Sequence, residues 1–427
     1  MDKEIKLIGN GTYGCIFHPG IHCNKKNNIS NSSFVTKVQM NGIELKNEID
    51  IGKMIKTVPN YSNRFAPIVE SCNLNISSVK ESTIEKCDLG VNAQNANEFV
   101  SSRINYVGSN TLYSYFYKLL KKDVEKKIKV RSGAVIKTNI KKNFIRYIVK
   151  IIETHVYLLE SLQLFQSKNL THFDLKENNI IYDEKNKVPI IIDYGISINW
   201  NALKTQKNYT EKFSFNRFET YPYWCIESVL FMHACDRIHK TKDPAFFNKK
   251  IELSDLSQMK NTLRSFIIGD DSKHNRFLDM NKDEIAKFET KSKHYINSFK
   301  DKSWNDLWTS LMNSRHNWDN YSMAHIFYYF VFKFDLLGQD TNINIIKKYT
   351  TLLKELMMNE PCKRSSLQET IIKLKNIIKH INKEETMQVA KNINKKAENP
   401  GYLNATMKRI DAVKLEELQQ EKIRSAN

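Results

Sequence analysis

Four polar residues between positions 174 and 193 have the types and spacing to act on a highly charged substrate. Asp174, Lys176 and Asn179 stand close together, and Asp193 follows after a short apolar run. Phosphoryl transfer needs Mg²⁺ held by carboxylate and amide oxygens, a cation near the phosphate, and a carboxylate that orients the attacking hydroxyl. Asp193 and Asn179 suit the metal, Asp174 suits the hydroxyl, and Lys176 suits the phosphate.

The pattern around these residues predicts the elements that position them. Apolar residues at helical spacing over 143–166 predict a helix that leads into a polar loop. Two short apolar runs, Ile180–Tyr182 and Val188–Ile192, flank a turn over 183–187 and predict two strands. The loop and the two strands would therefore bring Asp174, Asn179 and Asp193 to one place.

The stretch His172–Asn179 reads H-F-D-L-K-E-N-N, and D-Y-G begins at Asp193. These motifs resemble the H-R-D-L-K-x-x-N and D-F-G motifs of eukaryotic-type protein kinases. In that family, lysine at the position of Lys176 is typical of the serine/threonine branch. His172 is expected to support the loop through hydrogen bonds. Phe173 replaces the arginine that reads a phosphorylated activation loop in many members, so regulation through that residue is not expected.

The N-terminal part carries further motifs of the same family. A glycine-rich loop that would approach phosphate oxygens is formed by Gly9, Asn10, Gly11, Thr12, Tyr13, Gly14, Cys15 and Ile16. The alternating run Phe34–Val38 resembles the strand that supplies the lysine for the α- and β-phosphates of ATP, which makes Lys37 the candidate. The run 104–108 is the expected hinge strand, where the backbone of Val107 would meet the adenine edge.

A carboxylate from the next helix is needed to hold Lys37. Glu48 lies in a segment with apolar residues at helical spacing and is the preferred partner. Glu44 lies one turn earlier and stays an alternative, because the separation from Lys37 is shorter than is usual in the family.

Three later segments complete the resemblance. The run 219–227 resembles G-T-P-x-Y-x-A-P-E, and Thr220 is expected to hydrogen-bond into the catalytic site. Asp319 begins a segment similar to D-x-W-S-x-G, the start of the central helix of the large lobe. Arg364 resembles the late arginine that pairs with Glu227, so a buried ion pair between them is expected.

The resemblance implies an α+β chain with a two-lobed, protein-kinase-like fold. The expected parts are a small, mostly β N-lobe over 1–107 and a large, mostly α C-lobe over 108–382, followed by a charged tail over 383–427. Insertions are expected near 118–142 and near 235–314, the second as an ordered elaboration of the C-lobe.

The composition is typical of a cytoplasmic enzyme whose cysteines are reduced. The 427 residues are 41% hydrophobic, and no apolar run approaches the roughly 18 residues that cross a bilayer. The seven cysteines contain no C-x-x-C pair, which predicts free thiols. No secretory signal is expected, because the glycine-rich loop begins within ten residues of Met1. The Lys- and Asn-rich composition is similar to that of kinases of large DNA viruses, which would place the protein in the host cytoplasm or the virion.

The net charge of +19 is concentrated in part over 118–146, where eleven basic residues stand against two acidic ones. Such a segment would attract an acidic or anionic partner, whether acidic protein, nucleic acid or anionic lipid. A solvated insertion in a lysine-rich protein explains the same charges, and nucleic-acid binding is not indicated by anything else.

Three classes of function fit these motifs. The first is a protein serine/threonine kinase that uses ATP and Mg²⁺ and acts on protein substrates. A small-molecule kinase of the aminoglycoside or choline type shares the central motif but is not expected to carry Glu227, Asp319 and Arg364 together. A pseudokinase scaffold usually lacks the lysine or a metal ligand, and here all are present.

Overall fold

The structure, a computed structural model, falls into two compact units. It describes residues 4–11, 14–21, 31–74, 79–92, 94–119, 140–205, 213, 221–241, 243–268, 280–333 and 344–380. Among these, the first unit comprises residues up to Tyr115 together with Asn178–Ser197. The second comprises Phe116–Glu177 and the residues from Ile198 onward.

An antiparallel five-stranded sheet, in the order β1-β2-β3-β5-β4, forms the centre of the first unit. Its strands are Lys6–Gly11 (β1), Gly14–His18 (β2), Phe34–Met40 (β3), Ile68–Asn73 (β4) and Phe99–Asn105 (β5). Helices Ile43–Ile55 (α1) and Glu81–Ile84 (α2) belong to this unit, and the helix over residues 112–119 (α3) begins in this unit and ends in the second. In the register of the sheet, Lys37 on the central strand β3 lies between Ile16 and Ser102. This position explains why its side chain is buried.

A two-stranded hairpin also belongs to the first unit, although the sequence assigned its residues to the second domain. Its strands are Ile180–Asp183 (β7) and Val188–Ile191 (β8). The backbone of Ala66 donates to the carbonyl oxygen of Ile191 over 3.1 Å, and that of Tyr182 donates to Asn110 over 2.8 Å. These bonds join the hairpin to the first unit, and no local sequence pattern encodes them.

The second unit is built from helices. They are Ile140–Gln166 (α4), Trp200–Thr205 (α5), Ile226–Thr241 (α6), Leu253–Ile268 (α7), Lys282–Asn297 (α8), Trp304–Ser314 (α9), Trp318–Lys333 (α10), Asn344–Met358 (α11) and Leu367–Lys379 (α12). A short sheet pairs Leu170–Thr171 (β6) with Ile198–Asn199 (β9). It joins the chain just before His172 to the chain just after Ser197.

In the stretch expected to be an inserted elaboration, 235–314, the described residues include the complete helices α7, α8 and α9. Helices α8 and α9 each begin with a capping box, at Asn281 and at Ser303, which satisfies backbone donors in their first turns. Trp304 is buried and packs 4.8 Å from the ring of Phe246. Local caps and aromatic packing therefore order this part of the chain.

The prediction of free thiols throughout is wrong, because Cys15 and Cys87 form a disulfide with a Cα–Cα distance of 5.8 Å. The bond joins β2 to the segment after α2 across 72 positions of sequence. Sequence spacing could not reveal it, since the fold alone brings these residues together. A cross-link over a loop of this length typically stabilises a fold by roughly 2–4 kcal/mol.

Within the part of the chain that the structure describes, no helix is both long enough and apolar enough to cross a lipid bilayer.

Candidate functional site

Lys37 is the centre of a buried ion cluster in the first unit. Its Nζ donates to Glu48 Oε2 over 2.9 Å and to Asp193 Oδ1 over 2.9 Å. Burial by itself lowers the pKa of Lys37, but the charges of Asp193 and Glu48 outweigh it and raise that pKa above its ordinary value. Lys37 is therefore a fixed cation. Of the two candidate carboxylates on α1, Glu48 is the one paired with it.

The glycine-rich hairpin between β1 and β2 lies next to this lysine. A Cβ added to Gly14 would lie 3.1 Å from both Cγ and Cε of Lys37 and 3.1 Å from the carbonyl oxygen of Val38. Any larger residue would push against the lysine and the backbone of β3. Glycine at this position therefore permits the close approach of the hairpin to Lys37.

Asn10 anchors the same hairpin. Its side chain donates to the carbonyl oxygen of Lys86 over 3.1 Å and accepts from the backbone of Asp88 over 3.2 Å. Together with the disulfide between Cys15 and Cys87, these bonds fasten the hairpin to the segment after α2. The side chain of Asn10 thus contacts protein, which leaves its backbone as the part suited to a phosphate.

The hairpin β7–β8 brings Asn179 and Asp193 to one end. Ile180 pairs with Ile191, and the backbone of Ile192 donates to the carbonyl oxygen of Asn179 over 3.0 Å. Asp193 has a φ of +64°, which is left-handed backbone that aspartate tolerates better than most residues. Its side chain remains 34% exposed, so one carboxylate group is both paired with Lys37 and accessible.

These two residues offer the oxygen donors that Mg²⁺ prefers. A group of three or more His, Cys, Asp or Glu residues that could hold a metal does not occur among the described residues. Magnesium does not need one, since it is usually held by one or two protein oxygens, phosphate oxygens and water. The donor set of Asp193 and Asn179 therefore fits Mg²⁺ that arrives with a nucleotide.

Asn47, which the sequence did not single out, holds the backbone after Asp193. Its amide nitrogen donates to the carbonyl oxygens of Gly195 and Ser197, each over 2.9 Å. The residue is buried beside Glu48 on α1. Helix α1 thus contacts Lys37 through one residue and the chain after Asp193 through its neighbour. In the sequence, the available signal for this role was an asparagine directly before the candidate Glu48.

Asp174 belongs to the second unit, where both of its carboxylate oxygens have partners. Lys176 Nζ donates to Oδ2 over 3.2 Å, and the hydroxyl of Tyr221 donates to Oδ1 over 2.5 Å. The carboxylate is 15% exposed. Lys176 is therefore placed beside Asp174, as its proposed role requires. Tyr221 was not among the predicted residues.

A buried carboxylate at the start of α10 holds the loop that carries Asp174. Asp319 accepts from the backbone of His172 over 2.8 Å and from that of Phe173 over 3.1 Å. Burial raises the pKa of Asp319, while His172 and these backbone donors oppose the shift. The ring of His172 accepts from the backbone of Asp174 over 3.3 Å. His172 thus acts as a support of the loop.

Phe173 has an aromatic environment that accounts for the absence of arginine. Its φ of +69° is rare for a bulky residue and marks strained backbone directly before Asp174. The ring stacks 5.2 Å from Trp224 and lies 5.8 Å from Trp318, while the indole nitrogen of Trp224 donates to the carbonyl oxygen of Phe173. This aromatic cluster holds the strained residue, and a guanidinium buried there would lack polar partners.

The predicted pair of Glu227 and Arg364 is confirmed. Arg364 Nη1 donates to Glu227 Oε1 over 2.5 Å, and the two side chains are 2% and 0% exposed. Arg364 Nε also donates to the carbonyl oxygen of Asn359 over 3.0 Å. The pair is sealed inside the second unit and therefore serves its structure.

Several predicted positions lie outside the described residues. These are Thr12, Tyr13, Thr220, the tail over 383–427, and most of the basic segment 118–146. Their proposed roles stay predictions. Val107 is described, is partly exposed, and lies two residues after the end of β5, directly before Gly108 with its φ of +116°.

Comparisons with known proteins give little further information. No protein-family model matches the chain, and no curated protein sequence matches it either. Solved structures do match, among them one titled "Titin kinase and its flanking domains", with a TM-score of 0.37 and 13% identity. That match covers 92% of this chain and 52% of the other, so this chain spans about half the length of that structure. A likeness of this degree assigns neither a family nor a function.

Proposed function

We propose that this protein transfers the γ-phosphate of ATP to serine and threonine hydroxyls of proteins, in the presence of Mg²⁺. The observation that carries the proposal is the cluster of Lys37, Glu48 and Asp193. A buried lysine held by two carboxylates, one of them accessible, beside a hairpin whose Gly14 packs closely against it, is suited to bind the phosphates of a nucleotide.

Each residue has a separate role in this proposal. Lys37 binds phosphate oxygens, and Glu48 keeps the lysine in place. Asp193 and Asn179 would hold Mg²⁺, which neutralises charge on the phosphates when it is bound. Asp174 orients the acceptor hydroxyl and takes its proton as the hydroxyl oxygen attacks the γ-phosphorus. The bond from the γ-phosphorus to the bridging oxygen breaks, and ADP leaves.

Lys176 supports the assignment to serine and threonine. Its ammonium lies 3.2 Å from Asp174 and can stabilise charge on the phosphoryl group during transfer. In the family that the motifs resemble, this lysine and the threonine at position 220 are typical of enzymes that accept short aliphatic hydroxyls. A cytoplasmic or virion location, suggested by composition, is consistent with protein substrates.

The test is transfer of labelled phosphate from ATP and Mg²⁺ to generic acidic and basic proteins, followed by phosphoamino-acid analysis. Asp174→Asn and Asp193→Asn each remove one charge and nearly preserve shape. We expect each to lower the rate by at least ~10³-fold, the scale of such electrostatic roles. Asp183→Asn removes a charge in the same way at the last residue of β7, the end of the hairpin opposite to Asn179, so it is the control and should be close to wild type.

The outcomes separate the parts of the proposal. Near-normal turnover by either variant would overturn the assignment of a kinase site. Phosphotyrosine as the main product would overturn the serine/threonine assignment alone. Phosphorylated aminoglycoside or choline, with no labelled protein, would move the activity to small-molecule substrates.

A further inference from the structure

Three residues of one short segment, 221–224, donate hydrogen bonds to the loop that carries Asp174. Tyr221 donates to the carboxylate of Asp174 over 2.5 Å, and Trp224 donates to the carbonyl oxygen of Phe173 over 2.5 Å. Tyr223 donates to the carboxylate of Glu177. Only the first of these bonds reaches the carboxylate that orients the acceptor hydroxyl.

The phenol of Tyr221 is a rigid donor. Its ring centroid lies 4.5 Å from that of Trp224 and 5.2 Å from that of Tyr223, so the ring is enclosed by neighbours that are themselves bonded to the loop. A donor that is already fixed by packing loses little conformational freedom when it forms a hydrogen bond.

The phenol also keeps its proton. Burial raises the pKa of Tyr221 well above its ordinary value of 10.0, and the adjacent negative charge of Asp174 raises it further. Across the range in which enzymes are normally assayed, the hydroxyl is therefore always able to donate.

A hydrogen bond from Tyr221 does not by itself saturate the carboxylate of Asp174. Each carboxylate oxygen has two lone-pair directions. Tyr221 occupies one at Oδ1, and Lys176 occupies one at Oδ2. Two donors at opposite oxygens restrict rotation of the carboxylate, and catalytic groups must be held to within about 0.5 Å to work well.

We propose that Tyr221 is a positioning residue, whose hydroxyl fixes the carboxylate of Asp174 for the acceptor hydroxyl. This inference rests on the proposed function. The sequence motifs gave no role to Tyr221, whereas its neighbour Thr220 was expected to hydrogen-bond into the catalytic site. The competing idea is that the phenol occupies the place of the acceptor and blocks it, and this idea predicts an effect of opposite sign.

The experiment compares Tyr221→Phe with Tyr223→Phe. Each variant removes one hydroxyl that is bonded to a carboxylate, within the same segment, and leaves its ring in place. For Tyr221→Phe we expect kcat to fall about ten- to a hundredfold, the range for losing a hydrogen bond to a charged group. The KM for ATP should change less than about twofold, because the nucleotide contacts are elsewhere. For Tyr223→Phe we expect kcat within about threefold of the parent.

Thermal unfolding, followed by tryptophan fluorescence, checks that the variants are equally folded. All five tryptophans lie in the second unit, together with both tyrosines, so the signal reports on their surroundings. A selective loss of kcat in Tyr221→Phe at an unchanged midpoint of unfolding supports the proposal.

The other outcomes overturn it in distinguishable ways. Unchanged activity in Tyr221→Phe, or equal losses in both variants, excludes a specific positioning role. A rise in activity identifies the hydroxyl as a block. A parent protein without phosphoryl transfer, or an active Asp174→Asn variant, overturns the proposed function and the role of Tyr221 with it.

Discussion

A buried ion pair occurs among the described residues of each unit, and the two pairs are built differently. In the first unit, Lys37 and Glu48 are almost inaccessible, but Lys37 also binds Asp193, whose side chain is 34% exposed. In the second unit, Arg364 and Glu227 are 2% and 0% exposed, and the arginine also contacts the backbone carbonyl of Asn359 and the ring of Tyr321. The pair in the first unit is therefore linked to solvent through the exposed part of Asp193 and is called the open pair. The pair in the second unit is buried on both sides and is called the closed pair.

This difference in exposure indicates a role in function for the open pair and a role in stability for the closed pair. A closed pair has no access to a ligand, and its loss leaves an uncompensated charge inside the protein. An open pair keeps a cation ready for an anionic ligand, and its accessible carboxylate can also bind a metal. We therefore expect changes at Arg364 to act on folding and changes at Lys37 to act on the reaction.

The largest expected effect is on the closed pair. Arg364→Met should lower the free energy of unfolding of the second unit by about 3–5 kcal/mol, because Glu227 remains buried without its partner. Urea unfolding followed by tryptophan fluorescence measures this, since all five tryptophans lie in that unit. Removing the second charge as well, with Glu227→Gln added, should restore part of the loss. A loss below about 1 kcal/mol would contradict the structural role of the pair.

The second effect is on the open pair. Lys37→Met should lower kcat by about a hundredfold, or roughly 2.7 kcal/mol, because the lysine matches phosphate oxygens best in the transition state. Affinity for ATP should fall less than about tenfold. The tryptophan-reported unfolding of the second unit should not change. Turnover measurements and equilibrium titration with a fluorescent ATP analogue provide the two numbers.

Lys46→Met and Lys53→Met are matched controls on α1. Both lysines are exposed, and Lys53 forms a surface pair with Asp50, which contributes little. If either control abolished activity while Lys37→Met did not, the lysine would have been misidentified.

The same contrast shows what could be predicted from the sequence. Lys37, Asp174 and Asp193 stand out because strands and turns with clear patterns surround them. The ion pair of Glu227 and Arg364 was predicted across 137 positions, because both residues belong to motifs. A contact between residues far apart in the sequence could therefore be predicted where both residues belong to recognisable motifs.

Contacts made outside motifs could not be predicted. The disulfide of Cys15 joins a strand to a segment without a recognisable pattern, and only the folded chain brings Cys87 near it. The hydroxyl of Tyr221 contacts Asp174, although the motif pointed to the neighbouring Thr220 as the residue that hydrogen-bonds into the catalytic site. Neighbouring residues in a loop point in different directions, and sequence alone does not give those directions. The hairpin β7–β8 was predicted as two strands, but not the unit on which it packs.

His155 extends the comparison, because it is a titratable side chain buried inside the second unit. His155 on α4 lies within 3.1 Å of the hydroxyl of Tyr349 through Nδ1, and its ring stacks 4.2 Å from that of Phe327. Among the described residues, its Nε2 has no hydrogen-bond partner. A proton added there would bring a charge into an apolar site. Burial accordingly lowers the pKa of His155 to about 3.

The smallest expected effect follows from this pKa. Between pH 6.5 and 3 the unfolded chain binds a proton at His155 that the folded chain does not, so stability is complete above pH 6.5 and falls as the pH decreases. The contribution is roughly 1.4 kcal/mol per pH unit. His155→Phe keeps the stacked ring and cannot titrate, so its unfolding free energy, measured by tryptophan fluorescence from pH 7.5 to 5, should fall less steeply than that of the parent. Tyr349→Phe retains His155 and should keep the parent slope. Equal slopes in the parent and His155→Phe would show that acid destabilises the second unit through other groups, and that this closed site, unlike the pair of Arg364 and Glu227, contributes no electrostatic control of folding.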